Sequence, residues 1–402
     1  MASAAHRIDA APAALPSLPD EILEDIFLRL SAADDLARSS AACTTFRRLV
    51  SARCFLRRFR SLHSPPVPGF LDADPYAMFY PAEPPHRSAS AGRALAQAAD
   101  FTFSFVPKPN RWNVRDARDA RVLLSRQSTV STALGDILLL VCDPLHRRYV
   151  QVPPISLDMP PLPGSTRRRC MLAFEPFLAP AVDEEMEEEP SYRVIVIVLS
   201  RGIVTAFVFS SVTGKWQGGA PFWFDFSPLA RHYQRNCLYW TCCRNDLLVL
   251  DLHKMAFSII ADGSQLNRAI VDAGEDRLGL LTLPDDNTLV LRCKTWYADG
   301  DDNQEWQHDK VIPLPDCCNR YTIIGSYEGL LLIRGVPREP SWSTSSSLLE
   351  RESQYLTVEV KTLLVERLCA MNCVVGPAHL YASFPPPLSL PIILGLSTSV
   401  PS

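Results

Sequence analysis

The sequence is poor in glycine, with 17 glycines against 34 prolines in 402 residues. An ordinary globular protein contains about 7% glycine and 5% proline, so the usual balance is inverted. A collagen-like chain and a wholly disordered chain are both excluded, because their glycine or proline content is far higher. With 47% hydrophobic and 21% charged residues, the chain has material for a sizeable core, and its length allows two or three domains.

Lysine is scarce as well. Only six of the 40 basic residues are lysines, the first of them Lys108, so the remaining 34 are arginines. The formal net charge of −4 weighs against a nucleic-acid-binding body, because phosphate binding needs a net basic surface. We interpret the arginine excess as a coding bias rather than as a functional feature.

The sequence predicts neither a membrane span nor a secretory signal peptide. The most apolar runs, Val194–Leu199 and Leu388–Leu396, are shorter than the roughly 20 residues that a spanning helix needs. Charged residues and a proline interrupt the apolar stretch that a signal peptide requires near the start. We therefore expect a chain in the cytoplasm or nucleus, with its twelve cysteines reduced.

The cysteines do not form a zinc pattern. Two doublets, Cys242-Cys243 and Cys317-Cys318, and two loose pairs, Cys237 with Cys242 and Cys369 with Cys373, are far apart in the sequence. A structural zinc site takes two closely spaced pairs near each other. We expect buried apolar thiols, no metal and no cofactor.

Motifs for catalysis are also missing. There is no nucleophile elbow, no glycine-rich phosphate loop and no close histidine pair, although distant loops can still assemble a site. The acidic run Asp183–Glu189 and the basic run Arg167–Arg169 are expected to be solvated loops, with a basic partner as the alternative for the acidic run. The aromatic segment Trp216–Trp240 is expected to be core, with a ligand surface as the alternative.

The prolines divide the chain, and the gap between Pro19 and Pro65 contains its only strongly helical pattern. The first helix is predicted to open at Pro19, with two acidic residues at its positive end and Ser31 capping the next helix. Apolar residues then recur at the spacing of four helices. They are Ile22, Leu23, Ile26, Phe27, Leu30, Leu36, Cys43, Phe46, Leu49, Val50, Phe55, Phe59 and Leu62.

From Phe101–Val106 onward the pattern changes to about fifteen short β-type runs separated by turn signals. No helical pattern alternates with them, which favours an all-β body. Turn centres recur near residues 146, 213, 253, 307 and 361. Four-stranded propeller blades repeat at about 40–50 residues, so five or six blades are predicted, with a β-sandwich as the alternative.

The helical region resembles a known family. Leu18-Pro19-Asp20-Glu21-Ile22-Leu23, followed by Cys43-Thr-Thr-Phe46-Arg47-Arg48-Leu49, resembles the F-box pattern L-P-x-E-(I/L)-L…C-(K/R)-x-W-R-x-L. Phe46 stands where that family commonly has Trp, and Thr44 where it commonly has a basic residue. The sequence downstream is similar to the F-box-associated β-propeller domain of a plant, grass-type, F-box family.

The resemblance implies a non-catalytic, substrate-recognition subunit of an SCF-type (cullin–RING) ubiquitin ligase. Its F-box would bind a Skp-family adaptor, and through it cullin and RING subunits, and its β domain would recruit a protein substrate, with neither nucleic acid nor membrane as a partner. The alternatives are an F-box scaffold without a ligase role and a propeller-type glycan-binding protein or enzyme. The implied adaptor-binding residues are Leu18, Pro19, Ile22, Leu23, Ile26, Leu30, Leu36, Cys43, Phe46 and Leu49.

The predicted organisation is an α+β multidomain chain in five parts. They are a disordered N-terminus (1–15), an all-α F-box helical module (16–63), a Pro/Ala-rich linker (64–100), an all-β propeller-like domain (101–387) and a C-terminal tail (388–402).

Overall fold

A computed structural model describes residues 18–30, 33–63, 65–73, 78–108, 112–127, 137–155, 173–180, 192–200, 202–224, 228–234, 236–242, 246–261, 267–274, 277–284, 287–295, 306–327, 329–337, 352–372 and 375–382. The chain divides into two compact units, the first extending to Pro65 and the second beginning at Pro66. Several predictions concern residues outside the described part: Ser31, both terminal segments (1–15 and 388–402), and the runs 167–169 and 183–189.

The first unit contains four helices: α1 Asp20–Leu28, α2 Ala33–Ala42, α3 Thr44–Val50 and α4 Arg53–Leu62. Their apolar faces meet in one core, as the periodicity predicts. The ring of Phe27 packs edge-on against Phe46 and Phe55, with centroids 5.0 Å and 6.5 Å away, a geometry that aromatic quadrupoles favour. The core consists of Leu23, Phe27, Leu28, Leu36, Leu49, Val50, Phe55, Leu56 and Phe59.

The starts of α1 and α3 show how the local sequence sets these helices. Pro19 precedes α1 as its cap rather than forming its first residue, and its carbonyl oxygen accepts hydrogen bonds from the N–H groups of Ile22 and Leu23, both at 3.1 Å. Cys43 caps α3, because its Sγ accepts a hydrogen bond from the N–H of Phe46 at 3.4 Å. Caps of this kind satisfy backbone donors that the first helical turn leaves without partners.

The second unit is a six-bladed β-propeller. Its described residues contain one helix, α5 Ala89–Ala98, and the following strands. They are β1 Gly69–Asp72, β2 Phe79–Pro81, β3 Asn113–Arg118, β4 Arg121–Gln127, β5 Ile137–Asp143, β6 Arg148–Val152, β7 Ala173–Pro180, β8 Tyr192–Ser200, β9 Ile203–Ser210, β10 Lys215–Gly218, β11 Phe222–Trp223, β12 Pro228–Gln234, β13 Cys237–Cys242, β14 Asp246–Asp251, β15 Ala256–Ala261, β16 Arg268–Asp272, β17 Arg277–Thr282, β18 Thr288–Thr295, β19 Gln307–Pro313, β20 Cys318–Tyr327, β21 Leu330–Pro337, β22 Ser353–Glu359, β23 Leu364–Met371 and β24 Ala378–Tyr381.

Five blades are antiparallel sheets of consecutive strands: β3–β6, β7–β10, β12–β15, β16–β19 and β20–β23, with β11 also paired to β9. The sixth blade combines strands from opposite ends of the unit. β24 pairs with β1, aligning Gly69 with Tyr381 and Asp72 with Ala378, and β1 pairs with β2. This pairing closes the ring of blades.

Apolar side chains fill the space between each pair of neighbouring blades. Strand β9 shows how one strand contributes side chains to two of these spaces. Val204 and Val208 pack toward the third blade, whereas Phe207 and Phe209 pack toward the first. Because both faces of such strands are buried, they appear in the sequence as continuous apolar runs instead of alternating ones.

The predicted linker over residues 64–100 differs from the structure. Strands β1 and β2 lie in this segment, and Phe70 and Leu71 are fully buried within the propeller unit. The strands contain only four and three residues, and prolines surround them. β2 pairs with β1, and β24, the other hydrogen-bond partner of β1, lies near the far end of the sequence, so no local pattern indicates the sheet.

The predicted strand Phe101–Val106 is a series of turns. Phe103 has a positive φ of 52°, and the N–H groups of Phe103 and Val106 donate to the carbonyl oxygens of Asp100 and Phe103. Phe101 and Phe103 are still buried between the sixth and first blades. The alternation of phenylalanines therefore reflects packing of a folded turn.

The predicted repeat corresponds to real turns. Those near residues 146, 213, 253 and 361 join the third and fourth strands of blades one, two, three and five, and residue 307 begins the fourth strand of blade four. The number of blades is six, within the predicted range.

Candidate functional site

The ten residues that the resemblance assigns to adaptor binding separate into three groups in the structure. The first is exposed, the second is half-buried, and the third belongs to the core of the helical module. The exposed residues are Leu18, Pro19, Ile22, Ile26 and Cys43, the half-buried ones are Leu30 and Phe46, and the buried ones are Leu23, Leu36 and Leu49.

Three of the exposed residues form a surface that we call the α1 ridge: Leu18, Ile22 and Ile26. Their exposed fractions are 51%, 47% and 46%. Ile22 and Ile26 are four residues apart within α1, so their side chains lie on the same face of the helix, whereas Leu18 lies just before the cap residue Pro19. Large apolar side chains grouped on a surface mark interaction sites more often than isolated ones do, so the ridge is the candidate functional site of this unit.

Packing and ion pairs hold α1 with the ridge outward. Leu23 and Phe27 on its other face are buried, so rotation of the helix would expose them. Arg48 Nη2 lies 2.7 Å from Asp20 Oδ2, and a second exposed ion pair joins α4 to α1. Each exposed pair contributes only about 0–1 kcal/mol, so burial of the apolar face is the main cause of the orientation.

Phe46 is the position where the family pattern commonly has Trp. Its half-buried ring packs edge-on against Phe27, and its N–H is held by the Cys43 cap. Phenylalanine supplies the aromatic bulk at this place without an indole N–H. The local structure therefore accepts the replacement within the module core.

In the propeller, side chains from the first strands of the blades meet across the axis. Arg231 on β12 forms ion pairs with Asp116 on β3 at 3.3 Å and with Glu175 on β7 at 2.9 Å. Glu175 also accepts a hydrogen bond from Trp240 Nε1 at 2.8 Å. His379 Nδ1 on β24 lies 3.7 Å from Asp116 Oδ1. We call Asp116, Glu175, Arg231 and His379 the axial charge layer.

A second layer follows two residues further along the same strands, because side chains alternate between the two sides of a strand. The guanidinium carbon of Arg118 lies 4.4 Å from the ring centroid of Tyr233 and 5.0 Å from that of Tyr327. The Tyr327 hydroxyl donates a hydrogen bond to Asp119 at 3.0 Å. Blades one, three and five are thereby joined across the axis.

The protonation states in this region favour a structural role. Burial lowers the pKa of His379 to about 4, although Asp116 opposes the shift. Burial, with Arg231 nearby, lowers the pKa of His232 to about 3, and His232 Nδ1 lies 2.8 Å from Ser326 Oγ. Both imidazoles are therefore neutral at pH 7. Within the described residues, no group of three or more His, Cys, Asp or Glu side chains is placed to hold a metal ion.

The aromatic segment Trp216–Trp240 is divided over four strands. Trp240 and Tyr239 are fully buried, and Phe222 stacks on Phe257 at a centroid distance of 5.7 Å. Trp223 differs, because 73% of its surface is exposed. Most of the described aromatic residues of this segment therefore lie in the apolar core or pack against it, as the sequence predicts.

Sequence reasoning did not identify the axial layers. The available signal is the charged residues of two of these strands, Arg115, Asp116 and Arg118 on β3 and Arg231 and His232 on β12, but other strands such as β19 also carry charged residues. Their partners lie on other blades, so only the closed ring brings them together.

None of the helices in the described part of the chain is long and apolar enough to cross a membrane.

Comparisons with known proteins identify the helical module. No curated protein matches the chain. Among solved structures, it is similar to TolB from Acinetobacter baumannii, with 11% identity over 74% of this chain and 62% of that chain (TM-score 0.36), and to a chain of a mitotic checkpoint complex, with 10% identity over 65% of each (TM-score 0.31). These distant likenesses carry no functional argument. Residues 15–62 match the F-box-like family, so the helical module is an F-box-like domain.

Proposed function

We propose that this chain is the substrate-recognition subunit of an SCF-type (cullin–RING) ubiquitin ligase in the cytoplasm or nucleus. The α1 ridge carries the proposal. It lies within the F-box-like residues, it is apolar, and folding of the module leaves it exposed. A Skp-family adaptor is the proposed partner of this surface.

The ten candidate residues differ in exposure, and the proposal gives them different roles. Leu18, Ile22 and Ile26 are available for contact with an adaptor, and Phe46 lies partly at the surface. Leu23, Leu36 and Leu49 are buried in the module. In this proposal they support the surface by holding the helices together, and truncating them would damage folding before binding.

The ridge suits an adaptor interface on energetic grounds. Apolar surface removed from water contributes about 25 cal/mol per Å², and a few well-packed apolar side chains carry most of the energy of an interface. Because Leu18, Ile22 and Ile26 are about half exposed before binding, an adaptor would gain their remaining burial without refolding the module.

The propeller unit would supply the substrate site. Its blades form a separate compact unit, closed by β24 and β1 and tied across the axis by two side-chain layers. In this function the chain does no chemistry itself. It raises the effective concentration of a protein substrate near the ubiquitin-charged enzyme that the cullin and RING subunits hold.

The decisive experiment compares truncation of two ridge residues with truncation of an exposed leucine on α4. Leu18→Ala combined with Ile22→Ala removes part of the ridge, whereas Leu62→Ala removes a side chain that is 58% exposed on α4. We expect the double variant to weaken binding of a Skp-family adaptor at least tenfold, since the few side chains that carry most of the energy of an interface each cost about 2 kcal/mol or more when truncated, and about 1.4 kcal/mol corresponds to a tenfold loss of affinity. Affinity is measured by calorimetry or surface plasmon resonance with the full chain.

The controls separate binding from folding. Leu62→Ala should bind the adaptor as the unaltered chain does, and both variants should keep its thermal unfolding midpoint, because surface substitutions usually change stability by less than about 0.5 kcal/mol. Undiminished adaptor binding by the double variant would contradict the proposed interface. Adaptor binding without co-purification of cullin would instead indicate a scaffold without a ligase role.

A further inference from the structure

One cysteine doublet is a pair of touching thiols. Cys317 Sγ and Cys318 Sγ lie 3.7 Å apart. They stand where the chain passes from β19, the fourth strand of blade four, into β20, the first strand of blade five. The two side chains differ in exposure: Cys317 is exposed, whereas Cys318 is fully buried.

The surrounding residues hold this doublet in place. Asn287 Nδ2 donates a hydrogen bond to the carbonyl oxygen of Cys318 at 3.1 Å, and the Tyr321 hydroxyl donates to the carbonyl oxygen of Pro315 at 2.6 Å. The Cys318 thiol lies against Gly335, where an added Cβ would be 2.7 Å from its Sγ. Absence of a side chain at Gly335 therefore makes the space in which the buried thiol sits beside Cys317.

We propose that Cys317 and Cys318 form a redox-sensitive dithiol, which a peroxide-class oxidant converts reversibly into a vicinal disulfide. This inference is independent of the proposed ligase function. It rests on the contact between the thiols, on the access of solvent to one of them only, and on the cradle that confines the other.

The chemistry proceeds in two steps. The exposed Cys317 thiolate attacks one oxygen of hydrogen peroxide, so an S–O bond forms, the O–O bond breaks and hydroxide leaves. The sulfur is thereby oxidised by two electrons to a sulfenic acid. The Cys318 thiol then attacks that sulfur, the S–S bond forms, and the hydroxyl group leaves with the thiol proton as water. A dithiol reductant returns two electrons and two protons.

The exposure of the thiols decides their roles. Burial raises the pKa of Cys318 to about 11, and the thiolate is the form that reacts with peroxide. Cys318 is therefore the resolving thiol rather than the first nucleophile. Cys317, which faces solvent, is the one that the oxidant reaches.

The disulfide would be a readily reduced one. Adjacent Cα atoms are about 3.8 Å apart, whereas those of ordinary disulfides are usually about 4.4–6.8 Å apart. A bond between neighbours is therefore strained, and strained disulfides are the labile ones. Closing the small ring would twist the peptide between Cys317 and Cys318 and disturb the Asn287 and Tyr321 hydrogen bonds at the junction of blades four and five.

The test uses the full chain and mass spectrometry. Trypsin releases both thiols in one peptide, residues 311–320, which contains no other cysteine. After exposure to hydrogen peroxide and alkylation with N-ethylmaleimide, we expect this peptide to have lost two hydrogen atoms and to carry no adduct. Dithiothreitol should restore two adducts. Hydrogen–deuterium exchange around residues 314–323 should be faster in the oxidised chain.

Two controls make the result decisive. In Cys317→Ser, the exposed position keeps a similar side chain, and Cys318 should carry one adduct with or without peroxide. Cys54, an exposed cysteine on α4, reports how much oxidant acted. Retention of both adducts at a peroxide dose that oxidises Cys54 would overturn the proposal, as would an oxygen adduct on Cys317 with Cys318 still alkylated.

Discussion

At the residue scale, the turns between the third and fourth strands of four blades share one backbone conformation. The last residue of the third strand binds the turn: Asp143 Oδ1 accepts from the N–H of His146 at 3.1 Å, and Asp251 Oδ1 from those of His253 and Lys254 at 2.8 Å and 3.0 Å. The residue just before the fourth strand then has a positive φ. These residues are Arg147 (52°), Gly214 (64°), Met255 (51°) and Leu363 (57°).

Only one of these four positions has the residue that its backbone favours. A non-glycine residue in the left-handed region costs roughly 1–2 kcal/mol, which Gly214 avoids. The carboxylate caps at Asp143 and Asp251 and the strands on either side therefore impose the conformation on Arg147 and Met255, and the strands β22 and β23 impose it on Leu363.

A reciprocal pair of substitutions tests whether the positive φ strains the backbone of these turns. Arg147 is exposed, so Arg147→Gly should raise the free energy of unfolding by about 0.5–1 kcal/mol, since the relieved strain exceeds the extra entropy of the unfolded chain. Gly214→Ala should lower it by about 1 kcal/mol, because no atom lies within 4 Å of the new Cβ and only backbone strain is added. Denaturant unfolding measures both, and destabilisation by Arg147→Gly would refute the argument.

At the scale of elements, the first strands of the blades differ from the others. Strands such as β9 are apolar and buried on both faces, but β3, β12 and β24 place Asp116, Arg231 and His379 at the axis. Charges removed from water cost desolvation energy unless they are paired, and Asp116 and Arg231 are paired across blades one and three. A shift of one strand by one residue would turn its charged side chain away from its partner, so the axial layers oppose errors of register.

The titration of His379 predicts how the free energy of unfolding depends on pH. The folded pKa of His379 is about 4, against about 6.5 in an unfolded chain. Its stabilising contribution is fully present above pH 6.5, and it is lost as the pH falls toward 4, because the unfolded chain then binds a proton that the folded chain does not. The groups facing His379 are Asp116, Arg231 and Arg115.

The measurement is the free energy of unfolding at pH 7 and at pH 5. In His379→Gln the decrease between these two pH values should be smaller by about 1.5–2 kcal/mol than in the unaltered chain. His253→Gln, at an exposed turn position, is the matched control and should keep the original decrease. An identical decrease in His379→Gln and the unaltered chain would show that His379 does not titrate on unfolding in this range.

At the scale of the whole molecule, ring closure depends on β1 and β2, two short strands that lie in a proline-rich segment and that the sequence pattern does not predict. The sixth blade consists of β24, β1 and β2, so residues 66–81 belong to the propeller. Phe70 on β1 stacks on Tyr355 of the fifth blade at a centroid distance of 5.3 Å. The same segment thus completes one blade and packs on another.

Truncation tests the closure. A fragment beginning at residue 66 retains β1 and β2 and should unfold in one cooperative transition close to that of the propeller in the full chain. A fragment beginning at residue 101, the boundary that the sequence predicts, leaves β24 without β1 and exposes the apolar partners of Phe70 and Leu71. It should aggregate or melt at a clearly lower temperature. Equal stability of the two fragments, measured by calorimetry, would refute the role of β1 in closure.

Local patterns account for a large part of this structure. Helical periodicity predicts all four helices of the module, and turn residues such as Asp143 and Asp251 mark the blade repeat, because helix faces and turn conformations depend on neighbours in sequence. Periodicity does not distinguish Ile22, which is exposed, from Leu23, which is buried, since both are apolar and adjacent. The sequence therefore predicts that α1 is rich in apolar residues but not which of them form the exposed α1 ridge.

The sequence by itself determined the F-box-like module, the all-β body and its approximate repeat, because each depends on interactions within a few residues or a few tens of residues. Only the tertiary structure decided that β1 and β2 complete the sixth blade with β24, that Arg231 pairs with Asp116 across the axis, and that the Cys317 and Cys318 thiols touch in a cradle over Gly335. The β1–β24 pairing and the Arg231–Asp116 ion pair join distant parts of the chain, whose residues become neighbours only when the ring closes and packing of all six blades offsets the loss of chain entropy. The Cys317 and Cys318 thiols are adjacent in sequence, but their cradle forms only when β20 and β21 pair and place Gly335 against Cys318.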